Sequence, residues 1–464
     1  MTAIVCTLLS AIGFYFSIGL GEQWWLLWLA PVPVLWLAFG ETKGWIASLA
    51  AFAAAALGAT NLLRAYAGTM PAFVLVLAIS GPALLFAASV AGARRVQRAF
   101  GSVAAMFAFA ALWTALDLLV SFNQDGGSVS SPAMAEIGAP MMVQIAALVG
   151  YLGVTFLLGA VSAGIALSLR SRDPVPAGIA LALFAVNAGY GTWRMSQPSA
   201  DTLHVALVES NDTVGRIRKD DKAKTMKAID AYAAEIAKLK DAHVQLVVLP
   251  ENISLVAPEW RDEAEAKLAA AATEANATVV AGFNTNAEGA QRNISWAFTP
   301  GGHTPVTYEK RRLVPVLESA VYTPGPGPRT LADGTGLEIC KDMDFQSMIR
   351  SDSVATQPRL LAVPAWDFDK DDWSHARVAV MRSVENGVPM ARSARDGLLT
   401  LNDRYGRLVT RVRTVGPFQT VVGDLPLAGR GGNTLYDRIG DTFGWFCLVL
   451  GFGLVAASFT KRNA

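Results

Sequence analysis

Long apolar runs fill the first 195 residues, and one more lies near the C-terminus. Between them polar and apolar positions alternate with the short periods of a soluble domain. A bilayer-spanning helix needs about 20 mostly apolar residues. Seven runs fit that pattern before the soluble stretch, at 3–20, 24–40, 45–63, 70–91, 102–121, 142–169 and 175–192, and an eighth covers 440–460. The first lacks a basic start and a second follows at once, so it reads as a retained span and not a cleaved leader.

The middle of the chain carries a different rhythm. Residues 204–208 and 244–249 are short β-like apolar runs, and between them Met226, Ile229, Ala233 and Ile236 recur at the spacing of an amphipathic helix. Pro258 opens a second helix that ends near Asn276. Strands are predicted near 278–283, 294–299, 336–340 and 359–363, then a helix near 373–387, then strands at about 391–402 and 408–413. The stretch Thr-Pro-Gly-Pro-Gly-Pro at 323–328 is a loop. The alternation predicts an α/β layered domain with both sheet faces covered. The chain thus divides into a helical membrane domain (1–195), an α/β domain (200–430) and a final membrane helix (438–464).

Composition adds orientation. The net charge of +1 gives no sign of nucleic-acid binding. With the N-terminus in the cytoplasm, Lys43, Arg94, Arg95, Arg98, Arg170, Arg172, Lys461 and Arg462 all fall on the inside, and the opposite loops hold little beyond Arg64 and Arg194. Basic residues concentrate on the cytoplasmic side, so the α/β domain is expected outside the cytoplasm. Trp24, Trp25, Trp28, Trp36 and Trp45 lie near span ends as interfacial anchors. Asp117, inside the fifth span, is an intramembrane carboxylate and a functional candidate; Glu136 and Gln144 are placed so that they could face the same pocket.

The candidate chemistry lies in the α/β domain. Three separated stretches each set a reactive residue at or just past an apolar run: Pro250-Glu251, Tyr308-Glu309-Lys310 and Ile339-Cys340-Lys341-Asp342. They supply a carboxylate base, a cation and a thiol. A thiol nucleophile needs a base for its proton and a positive group for the oxyanion that follows. Of the three cysteines, Cys6 and Cys447 lie in apolar runs, which leaves Cys340 without a disulfide partner. Taken singly, Glu251 reads as a solvated carboxylate, Lys310 as surface charge and Cys340 as a small core residue. His204, His243, His303 and His375 are scattered without metal-site spacing, and neither a metal nor another cofactor is expected. The sequons at Asn211, Asn252 and Asn293 read as chance.

In their order and with their neighbours, the three stretches resemble the nitrilase (carbon–nitrogen hydrolase) superfamily, as do Pro364-Ala-Trp-Asp367 and Arg382-Ser-Val-Glu385-Asn-Gly387. The resemblance implies an α-β-β-α sandwich with Glu251, Lys310 and Cys340 as catalytic triad. Such a domain between seven spans and one resembles the apolipoprotein N-acyltransferase family. Specific points are Lys310-Arg-Arg-Leu-Val-Pro315 with Glu318, Val205-Ala-Leu-Val-Glu-Ser-Asn211, and Tyr436-Asp-Arg-Ile-Gly-Asp441.

That family implies a membrane phospholipid as acyl donor, a thioester on Cys340, and the N-terminal amine of a diacylglyceryl-apolipoprotein as acceptor. It also implies a monomer in the bacterial cytoplasmic membrane with its catalytic domain facing the periplasm. Lys310 and the Lys341 N–H would hold the oxyanion; Glu318 and Asp342 would position Lys310 and its loop. The chain departs from the family around the pocket. Pro315-Val316-Leu317-Glu318 stands for Pro-Phe-Gly-Glu, Cys340-Lys341-Asp342 for Cys-Tyr-Glu, and Pro364-Ala-Trp-Asp-Phe-Asp369 for the Asn-Asp-x-Trp-Phe stretch. A paralogue acylating another amine, a membrane-tethered amidase or nitrilase, and a non-catalytic scaffold are the alternatives.

Overall fold

The computed structural model describes residues 1–199, 201–211, 221–287, 290–429 and 434–461. Arg462 and the expected domain edges at 200 and 430 lie outside these. The chain divides into two compact units, Met1–Gln197 with Arg438–Ala464, and Pro198–Asp437.

The first unit is helical. Among the described residues, six helices are long and apolar enough to cross a membrane: Gly44–Tyr66, Ala72–Phe100, Ser102–Ser121, Tyr151–Ser171, Val175–Met195 and Thr442–Thr460. The first two of the eight apolar runs form shorter elements. One is the helix Thr2–Ser17, after which Gly19 turns the chain at φ +59°. The other splits into a 3₁₀ turn, Trp24–Trp28, and a helix, Val32–Ala38, because Pro31 and Pro33 cannot continue a preceding helical ladder. The expected span at 142–169 likewise begins only at Tyr151, after Gly150 at φ +74°.

Outward faces of this unit carry exposed Phe73, Val76, Leu77, Leu181 and Val186, a surface suited to lipid and not to water. Asp117 is buried, and its Oδ2 accepts hydrogen bonds from Ser131 and Thr155, 2.7 Å each. Glu136 accepts from Trp28 Nε1 at 2.8 Å, whereas Gln144 bonds the Pro140 carbonyl and Arg194. The three polar residues expected to share a pocket therefore have different partners.

The second unit is a four-layer sandwich. Its strands are β1 (Thr202–Ser210), β2 (Leu246–Val248), β3 (Leu255–Val256), β4 (Thr278–Ala287), β5 (Ala290–Phe298), β6 (Val306–Glu309), β7 (Arg329–Thr330), β8 (Thr335–Leu337), β9 (Leu360–Trp366), β10 (Met390–Arg395), β11 (Leu398–Asn402), β12 (Leu408–Arg413) and β13 (Phe418–Pro426). One sheet runs β13-β1-β2-β4-β5-β6, with β3 beside β4; the other runs β12-β11-β10-β9-β8-β7. In each, the central strands are parallel (β1-β2-β4, with β3 parallel to β4, and β8-β9-β10) and the remaining outer ones antiparallel.

Successive side chains on a strand point to opposite faces, and the cores follow that period. Val205, Leu207, Leu246 and Val248 pack inward against Leu337, Leu360, Ala362 and Leu399 of the other sheet. Ala206, Val208, Val247 and Leu249 pack outward under the helices Lys222–Ala237 and Arg261–Ala275. On the far side Leu361, Val363 and Met390 meet Ile349 and Ala379 of the helices Gln346–Thr356 and Asp372–Asn386. The helix Gln346–Thr356 and the strands β3, β6, β7 and β13 are not predicted by periodicity. The helix sequence is rich in Ser, Asp and Thr, which are poor helix formers, and β13 is held by a nine-residue antiparallel register on β1.

Candidate active site

The parallel strands β2 and β8 lead to Glu251 and Cys340 beyond their C-terminal ends, where open α/β sheets present ligands, while Lys310 follows the antiparallel edge strand β6. After β2 the chain passes Leu249, whose N–H bonds the Val280 carbonyl, and Pro250. Glu251 then crosses to the other sheet, its N–H donating to the Ala365 carbonyl at 3.2 Å. Gly282 makes room for this crossing: a Cβ there would lie 2.6 Å from both the Glu251 Cα and the Pro250 oxygen. Glu251 is only 2% exposed.

Lys310 follows β6 directly. Its N–H bonds the Asn293 carbonyl at 2.8 Å, and its own carbonyl accepts from Gly325 at 2.9 Å. A Cβ at Gly325 would lie 2.2 Å from the Glu309 carbonyl oxygen, so this contact requires glycine. The Lys310 ammonium is 1% exposed and sits between two carboxylates, 2.7 Å from Glu251 Oε1 and 2.8 Å from Glu318 Oε2. Asn293 Nδ2 donates to the same pair, at 2.6 Å to Glu251 Oε1 and 2.9 Å to Glu318 Oε1. Lysine and amide therefore both engage Oε1 of Glu251, and Oε2 has no hydrogen bond among the described residues. Glu318 also accepts the Val314 N–H at 2.8 Å, which ties down the loop after Lys310.

Cys340 was expected to end a strand. The strand β8 stops at Leu337 instead, and Cys340 opens a 3₁₀ turn, Cys340–Asp344, with φ +41°. A non-glycine residue in that region is strained and persists where its surroundings hold it. Here Asp342 Oδ2 accepts the Ile339 N–H at 3.2 Å and folds the turn back on itself. The Cys340 Sγ lies 3.5 Å from the Trp366 carbonyl oxygen at the end of β9. Beyond it Arg392 forms a buried bidentate pair with Asp367, at 3.0 and 2.5 Å.

The electrostatics follow from burial and these partners. Burial, reinforced by Glu251, pushes the Cys340 thiol well above its ordinary pKa; Lys310 and Arg392 oppose this. Burial also raises Glu251, against the pull of Lys310. For Lys310 burial disfavours the charge, but Glu251 and Glu318 outweigh it and hold the pKa well above that of a free lysine. The resting site thus holds a neutral thiol, a firmly charged ammonium and a carboxylate whose raised pKa suits proton transfer.

Glu251, Lys310 and Glu318 are in direct contact, and Cys340 faces the first two within electrostatic reach. Asp342 touches the loop after Lys310 by accepting the Arg311 and Arg312 N–H groups at 3.2 and 2.8 Å. The Lys341 side chain turns to Asp344, 3.2 Å away. Sequence reasoning missed Asn293, whose one signal was a polar residue inside an apolar strand, and Arg392, which lies in an unremarkable basic stretch.

The sequence model of the carbon-nitrogen hydrolase family matches residues 204–416, and that of the apolipoprotein N-acyltransferase N-terminal domain matches residues 10–164. The chain is 25% identical to the apolipoprotein N-acyltransferase of Geobacter metallireducens over 494 aligned positions, covering 95% of this chain and 92% of that protein. It is 27% identical to the enzyme of that name from Allorhizobium ampelinum, over 80% of this chain and 77% of that one. Among solved structures, the NitN amidase of Nesterenkonia sp. AN1 superposes with a TM-score of 0.44 and 21% identity, over 53% of this chain and 99% of that one.

Proposed function

The chain belongs to the apolipoprotein N-acyltransferase family, and from that premise we infer how its own residues carry out lipoprotein N-acylation. Glu251 takes the Cys340 proton on Oε2, the oxygen that neither Lys310 nor Asn293 engages. The Sγ attacks the acyl ester carbonyl of a membrane phospholipid. Lys310, with the Lys341 N–H, holds the tetrahedral oxyanion. The ester C–O bond breaks, Glu251 returns the proton to the departing lysophospholipid, and an acyl thioester remains on Cys340.

The N-terminal amine of a diacylglyceryl-apolipoprotein then attacks the thioester. Glu251 accepts the amine proton, the C–S bond breaks, and the thiol re-forms. Glu318 and Asn293 keep Lys310 and Glu251 in register throughout. We place the protein in the bacterial cytoplasmic membrane as a monomer, with the Pro198–Asp437 unit on the periplasmic side.

One observation favours a lipid donor over a small amide. Beside Glu318 the loop presents Val316, 74% exposed, with Leu317 and Val321, and Phe368 is exposed two residues after Trp366. A hydrolase for a small polar amide needs no such apolar rim. Drawing an acyl chain into water costs about 0.8 kcal/mol per methylene, which an apolar rim and a membrane-embedded chain reduce. The test is mass spectrometry of protein purified from membranes and incubated with labelled phospholipid alone. The expected result is a hydroxylamine-sensitive acyl adduct on the peptide carrying Cys340. Label that enters the protein only when an amine acceptor is present would rule out the two-step scheme.

A further inference from the structure

Behind the reactive residues lies a buried cluster that the scheme above leaves unused. The Tyr308 hydroxyl is 2.8 Å from Glu338 Oε2 and 2.7 Å from Asp342 Oδ2, and it accepts the Arg311 Nε–H at 3.1 Å. Tyr308, Glu338 and Asp342 are each at most 2% exposed. A phenol has one hydrogen to donate, and an ionised carboxylate has none. Two carboxyl oxygens in hydrogen-bond contact with one hydroxyl therefore require one more proton, supplied by a carboxylic acid donating to the tyrosine oxygen.

The surrounding donors decide which carboxyl holds it. Asp342 accepts three backbone N–H groups, from Ile339, Arg311 and Arg312, and bonds of that kind hold a carboxylate ionised. Asp352 pairs end-on with the Arg311 guanidinium, Nη1 to Oδ1 at 3.0 Å and Nη2 to Oδ2. Glu338 receives only the outer contacts of that same guanidinium, both at 3.2 Å. The groups facing Glu338 are thus Asp342, Tyr308, Arg311 and Asp352, three of them acidic and one cationic. Burial first, then Asp342, push the Glu338 carboxyl well above the ordinary range. Asp342 is also raised by burial, but its bonds to Tyr308 and to the backbone oppose this.

We propose that Glu338 is held as a neutral carboxylic acid that donates to Tyr308, and that it is a positioning residue for both Lys310 and Cys340. Tyr308 in turn donates to Asp342, whose two oxygens grip the N–H groups just after Lys310 and just before Cys340. Glu338 stands two residues before Cys340, and Tyr308 two before Lys310. The proton closes a brace between the two segments that must hold their relative placement. Ionising Glu338 leaves two carboxylates facing one hydroxyl hydrogen and loosens that brace. The proposal rests on the roles given above to Lys310 and Cys340.

The test uses the full chain in detergent micelles with Glu338→Gln, Glu338→Leu and Tyr308→Phe. The readouts are alkylation of Cys340 by iodoacetamide, acylation of Cys340 by labelled phospholipid, thermal unfolding from about pH 6 to about pH 9, and the infrared carbonyl band of a protonated carboxyl group. Glutamine is neutral and its amide can donate to Tyr308, so Glu338→Gln is expected to stay within about threefold of the parent in both reactions. Glu338→Leu and Tyr308→Phe are expected to lose about tenfold, the upper end of the scale of one ordinary hydrogen bond.

A carboxyl whose folded pKa is raised above its unfolded value of about 4.3 contributes stability below that value and loses it as pH rises through the folded pKa. The parent should therefore lose stability relative to Glu338→Gln as pH rises, and the infrared band should vanish in that variant. An ionised Glu338 predicts the reverse: Glu338→Gln destabilised at neutral pH, with no lost band. That result overturns the proposal, as does unchanged alkylation in both Glu338→Leu and Tyr308→Phe. If Glu338→Leu does not fold, the pH dependence of Glu338→Gln and the infrared band still decide. Alkylation needs no acyl donor, so an absence of phospholipid acylation with this pattern intact would refute the functional reading and leave the brace standing.

Discussion

Replacing Lys310 by methionine removes a cation bonded to both Glu251 and Glu318 and leaves two carboxylates converging on Asn293. Two losses follow, and they separate. Breaking a buried pair by deleting one partner costs about 3–5 kcal/mol; Glu318 is 15% exposed at its side chain, so the lower end applies. On the proposed role of Lys310 at the oxyanion, losing its charge should cost about 3 kcal/mol more in the acylation step, or about a hundredfold in rate. The first loss depends on pH. Burial already raises Glu251 and Lys310 holds it down, so without the lysine its folded pKa climbs further above the unfolded value of about 4.3. Stability from such a group is present below that value and lost as pH rises through the folded pKa. The stability gap between parent and Lys310→Met should be small near about pH 5 and widen toward neutrality. Adding Glu318→Gln removes one of the two facing carboxylates and should recover much of the stability, but not the rate. The assay pairs thermal unfolding across pH with the rate of Cys340 acylation and with phospholipid affinity. A double variant that regains its acylation rate along with its stability would show that Lys310 only balances charge. Normal acylation with weakened phospholipid binding would instead make it a headgroup anchor.

Cys340→Ser and Cys340→Ala should abolish acyl transfer while leaving thermal unfolding close to the parent's; transfer at a comparable rate by Cys340→Ala would mean another nucleophile. Asn293→Ala removes two bonds to charged groups, each worth about 1.5–3 kcal/mol, and should slow Cys340 acylation roughly tenfold or more with donor affinity unchanged; weaker donor binding at an unchanged acylation rate would assign Asn293 to the substrate instead. Lys310→Arg should recover only part of the rate, because a planar guanidinium does not match a compact ammonium held between Glu251 and Glu318; full recovery would show that charge alone matters there. A cysteine introduced near Lys240 should react with a membrane-impermeant reagent in intact cells, and labelling only after lysis would reverse the proposed orientation.

Much of this was legible in one dimension. Apolar runs of bilayer length marked the membrane unit, because a helix in lipid must satisfy its own backbone and present apolar side chains along its full length. The β-helix alternation located most strands of the sandwich, because each strand buries one residue in two on each face. Glu251, Lys310 and Cys340 stood out because each follows an apolar strand and together they make a complete nucleophilic set. What the sequence could not carry were features that depend on distant neighbours. The helix Gln346–Thr356 has poor local propensity and is held by its Ile349, which packs with Met343, Leu361 and Ala379. The strained turn at Cys340 replaces an expected strand end, because Asp342 draws the Ile339 N–H back on itself. Asn293 joins Glu251 to Glu318 from a strand 42 residues past the first. The proton proposed for Glu338 follows only because two distant segments bring the Tyr308 hydroxyl between the carboxyls of Glu338 and Asp342. Reactive residue types can be read from local pattern; the oxygen left free, the backbone angle at the thiol and the number of bound protons are set by contacts that close only when the sheets pack.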